Sequence, residues 1–206
     1  RGYKFNIWCY SRVDTVKDQY LATLKKAGVN WLALGIESGN TRVRKDVTKG
    51  RFEDVDIRAV VNKIRAHGIN VIGNYIFGLP EDDLESMQMT LDLAMEMNTE
   101  EANFYSAMAY PGSPLHGIAR KEGWKLPSTY AGFSQHSYEA QPLPTKYLRA
   151  DQVLAFRDEA WMKYHTNPKF LDLLTTKFGK VAADETLKST QIKLKRKILE
   201  DATAVK

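Results

Sequence analysis

The sequence predicts an α/β fold with parallel strands, completed by a helical C-terminal part. Three observations carry this. Four apolar, strand-like runs alternate with stretches of helical period, in the order β-α-β-α-β-α-β. The repeating unit is about 30 to 40 residues, enough for a strand, a crossover helix and two turns. From Lys146 onward the pattern is helical alone. Consecutive units of this kind give parallel strands joined by right-handed crossovers. A doubly wound sheet and a (β/α) barrel both satisfy the pattern, although four strands are too few to close a standard barrel.

The elements follow in order. The first strand is expected over 3–10, YKFNIWCY, followed by the helical stretch TVKDQYLATLKKAG. There Val16, Tyr20, Leu21 and Leu24 recur at helical spacing, and Gly28 is placed to stop the helix. The second strand is VNWLALGIE, residues 29–37. Val55, Ala59, Val60 and Ile64 then form one helical face, which Gly68 ends. INVIGNYIFG, 69–78, is the third strand, and LPEDD opens a helix near 82–97 with Leu84, Met87, Leu91, Ala94 and Met95 inward. The fourth strand is EANFYSAMAY, 101–110, stopped by PGSP. Residues 123–145 hold aromatics, proline and serine without periodicity and read as a loop or lid across the body. Helices are expected at 147–165, at 168–179 and from about Asp184.

Composition narrows the function. At 206 residues, 43% hydrophobic and 27% charged, the chain is an ordinary globular domain rather than a disordered segment. No apolar run reaches membrane-span length and no signal-peptide pattern opens the chain, so no membrane is expected. The single cysteine, Cys9, excludes an intrachain disulfide and a cysteine-rich metal centre, and it favours a cytoplasmic location. A chain that starts at Arg1 is expected to be a piece of a longer one. The net charge of +5 is concentrated in the tail KSTQIKLKRKILEDATAVK, which reads as the solvated face of a terminal helix. That tail lacks the interleaved aromatics of a nucleic-acid surface.

Common catalytic patterns are missing. His67, His116, His136 and His165 form no HxxxH or HxE pair, so no metal ligands are assigned. Ser38 sits in IESGN and not in GxSxG. Trp8, Trp31, Trp124 and Trp161 read as packing residues. No catalytic side chain is identified.

The strand ends are more informative, because parallel α/β folds collect function there. Tyr10 and Arg12 end the first strand. In the second, Leu32, Leu34 and Ile36 would pack on helices, and Ala33, Gly35 and Glu37 would face inward. Small residues beneath an inward carboxylate leave room for a ligand, and ribose hydroxyls suit as donors to it. An ion pair of Glu37 with Lys49 or Arg12 is the structural alternative. In the third strand Asn74, Ile76 and Gly78 share one face, while Tyr75 and Phe77 share the other. Gly78 permits a close approach or an unusual φ.

Taken together, LGIESGN…RKDVTKG, AHGINVIGNYIFGLPEDDLESMQMTLDLA and FYSAMAYPGSPL resemble the second half of the radical S-adenosylmethionine (SAM) core. They are similar to the branch that includes anaerobic Mg-protoporphyrin IX monomethyl ester cyclase-like Fe-S oxidoreductases, whose members usually carry a cobalamin-binding domain. The resemblance covers about residues 1–125. Residues 126–206 would be an aromatic loop plus a helical C-terminal extension. It implies a partial (β/α) TIM-like barrel segment whose four parallel strands are the third to sixth of a radical SAM (β/α)6 core. The family's CxxxCxxC loop for a 4Fe-4S cluster is absent.

Site residues follow from the same resemblance. Glu37 matches a position that contacts the ribose or methionine part of SAM. Lys49 matches a basic position that reaches the SAM carboxylate, and Asn74 one that accepts from ribose. Ile76 would pack on adenine. Tyr10 and Arg12 stand where relatives carry another polar SAM contact, and Tyr110, in YPGSP, would shape the adenine end. The implied activity is radical generation from SAM for oxidative cyclisation, methylation or other C–H chemistry on a small molecule. The 4Fe-4S cluster, and any cobalamin, would belong only to the full-length protein, and this chain alone would be inactive. The unpaired edge of the first strand would invite a homodimer. The alternatives are an inactive barrel-derived binding module or an unrelated α/β barrel enzyme.

Overall fold

The computed structural model describes residues 2–48 and 55–204. Strands β1 (Ile7–Arg12), β2 (Val29–Glu37), β3 (Asn70–Phe77) and β4 (Glu101–Ser106) form one sheet in the order β1-β2-β3-β4. Every neighbouring pair is parallel. Sequential order with parallel pairing is the layout of a barrel segment. The crossovers are α1 (Asp18–Lys26), α2 (Thr41–Thr48) with α3 (Ile57–Ala66), and α4 (Leu84–Met97). After β4 come α5 (Pro114–Lys121), α6 (Ala150–His165), α7 (Pro168–Phe178), α8 (Lys180–Thr190) and α9 (Lys197–Ala204).

Strand alternation builds the core. Leu32, Leu34 and Ile36 of β2, Val71, Tyr75 and Phe77 of β3 and Phe104 of β4 pack in one cluster with Ile64, Met87, Leu91 and Tyr164 from the helices. Phe104 stacks on Phe77 and Tyr75, with ring centroids 5.6 and 5.5 Å apart. Each large side chain buried this way stabilises the fold by about 1.5–3 kcal/mol. The opposite, inner face carries the alternate residues. Register sets Arg12 beside Gly35, Gly35 beside Asn74 and Asn74 beside Asn103, with Ile76 beside Tyr105. Beneath the sheet, at the amino ends of the strands, Glu100 is fully buried. It accepts from Val71 N–H at 2.8 Å, Arg65 Nε at 3.0 Å and Lys177 Nζ at 2.6 Å.

Several boundaries differ from the sequence expectation. β1 covers 7–12 and not 3–10, because pairing starts where Ile7 N–H donates to Gly28 O. Tyr3 and Phe5 remain 70% and 60% exposed and outside the ladder. β4 stops at Ser106, four residues early. The chain then turns to a new partner, as Leu143 N–H donates to Ala107 O. Sequence reading missed α5, although Ser113 as N-cap and Pro114 at the first helical position mark its start. The tail is two helices and not one, and its Arg196 is buried. The solvated-face expectation fails there because Arg196 forks onto Asp158 of α6.

The two edges of the sheet differ. On β4, Arg157 of α6 donates to Phe104 O at 2.7 Å. The Gln135 side chain accepts from Ser106 N–H and donates to Ser106 O, both at 2.9 Å, as a neighbouring strand would. Side chains thus close that edge. Among the described residues β1 pairs only with β2, and no strand lies on its outer side.

Candidate cofactor site at the carboxyl ends of β2 and β3

Glu37 ends β2 in an unusual backbone state. Its φ is +66°, one of two positive values at non-glycine residues among those described. Register slips here: Gly35 pairs with Asn74 and Glu37 pairs with Tyr75, so Ile36 is an inserted bulge residue. Such strain persists where surrounding contacts enforce it, and it concentrates at functional sites. The bulge lets Ile36 stay in the core while Glu37 turns back over the inner face. A Cβ added at Gly35 would stand 2.6 Å from Glu37 Oε1, so a side chain there would push this carboxylate from its present position.

The Glu37 carboxylate makes no hydrogen bond or ion pair with a described residue. Burial raises its pKa above the usual carboxylate range. The turn that follows is tied to α4. Gly39 N–H donates to Thr90 Oγ1 at 2.9 Å, and Ser38 Oγ lies 3.2 Å from the same hydroxyl. Asn40 caps the next helix through its Oδ1 to Val43 N–H. These bonds fix the turn beside the Glu37 carboxylate.

The other expected residues fall as follows. Asn74 lies on the inner face, one strand from Gly35, and is buried. Its Nδ2 donates to Leu34 O at 3.2 Å, and its Oδ1 accepts from Asn103 Nδ2 at 3.0 Å. Its carbonyl oxygen keeps a second lone pair. Ile76 packs against Val43, Leu79 and Ala107 at the top of the sheet. Tyr10 is 71% exposed and its ring lies tilted against Trp8 with centroids 5.1 Å apart. Arg12 is engaged by Asp14 in the following turn, which raises its pKa. Tyr110 is half exposed and stacks on Phe133, 6.0 Å between centroids. Lys49 lies outside the described residues. The structure thus brings Glu37, Asn74 and Ile76 to the top of two adjacent strands, while Tyr10, Arg12 and Tyr110 stand toward the sides.

Two groups here went unrecognised in the sequence. Asn103 and Tyr105 extend the same inner face on β4, a position that alternation from Ser106 would have shown. Arg44 also returns to this turn. It is buried, and its Nη1 donates to Ser38 O at 3.4 Å. Burial lowers its pKa.

The GLPED turn after β3 also earns its shape from specific bonds. Gly78 has φ +79°, and an added Cβ would meet Val153 Cγ1 at 2.3 Å. Both reasons for a glycine hold there. Asp82 Oδ2 accepts from Leu79 N–H, and Asp82 Oδ1 accepts from Ser86 Oγ. Burial raises the Asp82 pKa, which those bonds only partly offset. Asp83 and Ser86 form a capping box at the start of α4.

Known proteins resemble this chain over part of its length. Residues 4–94 match the family model of the radical SAM superfamily. It is 24% identical over 161 residues to an uncharacterized methyltransferase of Pyrococcus horikoshii, covering 78% of this chain and 34% of that protein. It is 32% identical over 109 residues to bacteriochlorophyllide d C-12(1)-methyltransferase of Chlorobaculum tepidum, covering 51% and 24%. Among solved structures it is similar to the radical S-adenosylmethionine methyltransferase TsrM of Kitasatospora setae, with cobalamin and a 4Fe-4S cluster bound. That match has a TM-score of 0.49 at 21% identity, covering 59% of this chain and 24% of the other. The chain spans about a third or less of the length of these curated relatives.

Proposed function

We propose that this chain is the C-terminal part of a radical SAM barrel, strands three to six of six, and that the top of β2 and β3 binds SAM. The observation that carries this is Glu37, a carboxylate held over Gly35 by a strained bulge and without a hydrogen-bond or ion-pair partner among the described residues. A half-buried carboxylate gains from donors, and the ribose hydroxyls of SAM supply them. Asn74 Oδ1 offers a further acceptor beside it, and Ile76 an apolar surface for adenine. Lys49 would neutralise the SAM carboxylate. Tyr10, Arg12 and Tyr110 would border the ligand.

The chain does not suit a 4Fe-4S cluster by itself, since Cys9 is its one thiol and such clusters take several. Glu37, Asn74 and Ile76 would hold SAM, which with a cluster held elsewhere in the full-length protein would supply radical chemistry. The work of this half is to bind, orient and exclude water. The relatives' names favour methyl transfer, and cyclase-like chemistry is the second outcome we consider. Cobalamin, if used, would be carried outside this chain. A small-molecule substrate, a cytoplasmic location and no nucleic-acid or membrane partner complete the proposal. No described helix is long and apolar enough to cross a membrane.

Glu37→Gln in the full-length protein is the test. The variant loses charge-assisted hydrogen bonds worth about 1.5–3 kcal/mol, so SAM affinity by calorimetry drops roughly tenfold or more. Melting temperature moves the other way at neutral pH. The folded-state pKa of Glu37 is raised, so its ionisation destabilises the fold as pH rises through that value. Glutamine removes this penalty. Unchanged SAM affinity withdraws the site. Anaerobic iron and sulfide loading of the 206-residue chain is a separate check, expected to leave no stoichiometric cluster.

A further inference from the structure

We propose that the buried cationic cluster behind the end of β4 is an oxyanion site, which takes a carboxylate or phosphate group of the substrate. It uses none of the proposed SAM residues, and only its assignment to the substrate rests on the SAM reading.

The argument starts from charge. Arg157 of α6 and Arg196, just ahead of α9, share one carboxylate, Asp158. Arg196 Nε and Nη2 donate to it at 2.9 Å each, and Arg157 Nη1 at 2.8 Å. The two guanidinium side chains are 5% and 1% exposed. Two buried cations on one anion leave a net positive charge out of water. That arrangement is unfavourable unless dipoles or a further anion compensate it. Dipoles contribute in part: Phe104 O accepts from Arg157 Nε at 2.7 Å, and Ser137 O accepts from Arg196 Nη1 at 2.9 Å. Arg196 then has all three nitrogens engaged. Arg157 has not, because its Nη2 donates to no described residue.

A neighbouring hydroxyl is also unpaired, and an exposed imidazole lies beside it. Ser106 Oγ is buried and makes no hydrogen bond, although both backbone groups of Ser106 are held by Gln135. His136 follows Gln135 in the chain. Partial burial, then the fields of Arg157 and Arg196, hold its pKa below the usual histidine range. One small region therefore offers a guanidinium nitrogen that donates to no described residue and a buried, unbonded hydroxyl, beside the exposed His136 imidazole. These are the donors that oxyanions take, and arginine binds such groups through its planar fork. The cluster adjoins Tyr105, which feels the charge of Arg157 and lies on the inner face. An anionic tail held here leaves the rest of a substrate directed to the strand ends.

Inorganic phosphate and acetate, titrated separately into the 206-residue chain at constant ionic strength, are the probes. The readout is the His136 imidazole by NMR. A bound anion offsets the arginine field, so the His136 pKa rises, by about half a pH unit or more, with saturation. Sodium chloride gives no saturating change. The probe that saturates at lower concentration identifies the group, tetrahedral phosphate or planar carboxylate. Ser106→Ala removes a hydroxyl that bonds to nothing in the protein, so the fold stays intact and anion affinity falls several-fold. Arg157→Lys keeps the charge, loses the fork and weakens binding about tenfold. If neither probe moves His136 beyond the chloride control, or both variants bind like the parent, the cluster is a structural tie and the proposal falls. SAM calorimetry on full-length Ser106→Ala stays at the parent value. Loss of SAM binding in the parent would overturn the SAM reading alone and leave the anion titration standing.

Discussion

Gly78→Ala lowers the stability of this chain by about 2–5 kcal/mol in urea unfolding. Two separate effects add. A non-glycine residue at φ +79° carries a backbone penalty of roughly 1–2 kcal/mol. The new methyl group also meets Val153 Cγ1 at 2.3 Å, and Val153 is fully buried and packed in the core. Overpacking of that kind adds about 1–3 kcal/mol. The effects separate in a double-mutant cycle. Val153→Ala opens space for the methyl group, so the double variant recovers the steric part and keeps the backbone part. A loss under about 1 kcal/mol, or no coupling to Val153, would show that the α6 contact is not as tight as described.

Glu100→Gln is expected to cost about 3 kcal/mol, at the low end for breaking a buried ionic group because Lys177 and Arg65 retain some contact with water. Burial works against ionisation of Glu100. The hydrogen bonds from Lys177 and Val71 N–H, and the charge of Arg65, outweigh it and leave the pKa below the usual range. The sign follows. A depressed carboxylate contributes stability above its unfolded pKa, and that contribution disappears as pH falls through the folded value. Melting temperature of the parent should therefore drop in acid more steeply than that of Glu100→Gln, and the two curves should converge at low pH. Parallel curves would mean that Glu100 is not ionised in the fold.

Much of this was legible in the sequence, for local reasons. GIESGN announces a strand end because small residues alternate with core residues up to the carboxylate. Asp83 and Ser86 write a helix start three residues apart. What was not legible depends on distant partners. Tyr3 and Phe5 have good strand propensity, yet no neighbour pairs with them, so β1 begins four residues late. Asp158 and Arg196 lie 38 residues apart, and Glu100 meets Lys177 across 77. No periodicity links such residues. The bulge at Glu37 was likewise hidden, since it arises from the register of β2 against β3 and not from either strand alone.

The unequal edges of the sheet set a limit on assembly. Arg157 and Gln135 occupy Phe104 O and both backbone groups of Ser106 on β4, so among the described residues the open edge for strand addition is that of β1. A sheet with two free edges can pass strands from molecule to molecule and grow into a fibre. A sheet with one can accept a single neighbour. If that neighbour is a second copy, both molecules spend their only free edge on one shared contact, and growth stops at two. If it is a strand from elsewhere in the full-length protein, nothing remains for a copy to join. The two fates exclude each other, so an edge-paired dimer in solution would report that the barrel is incomplete.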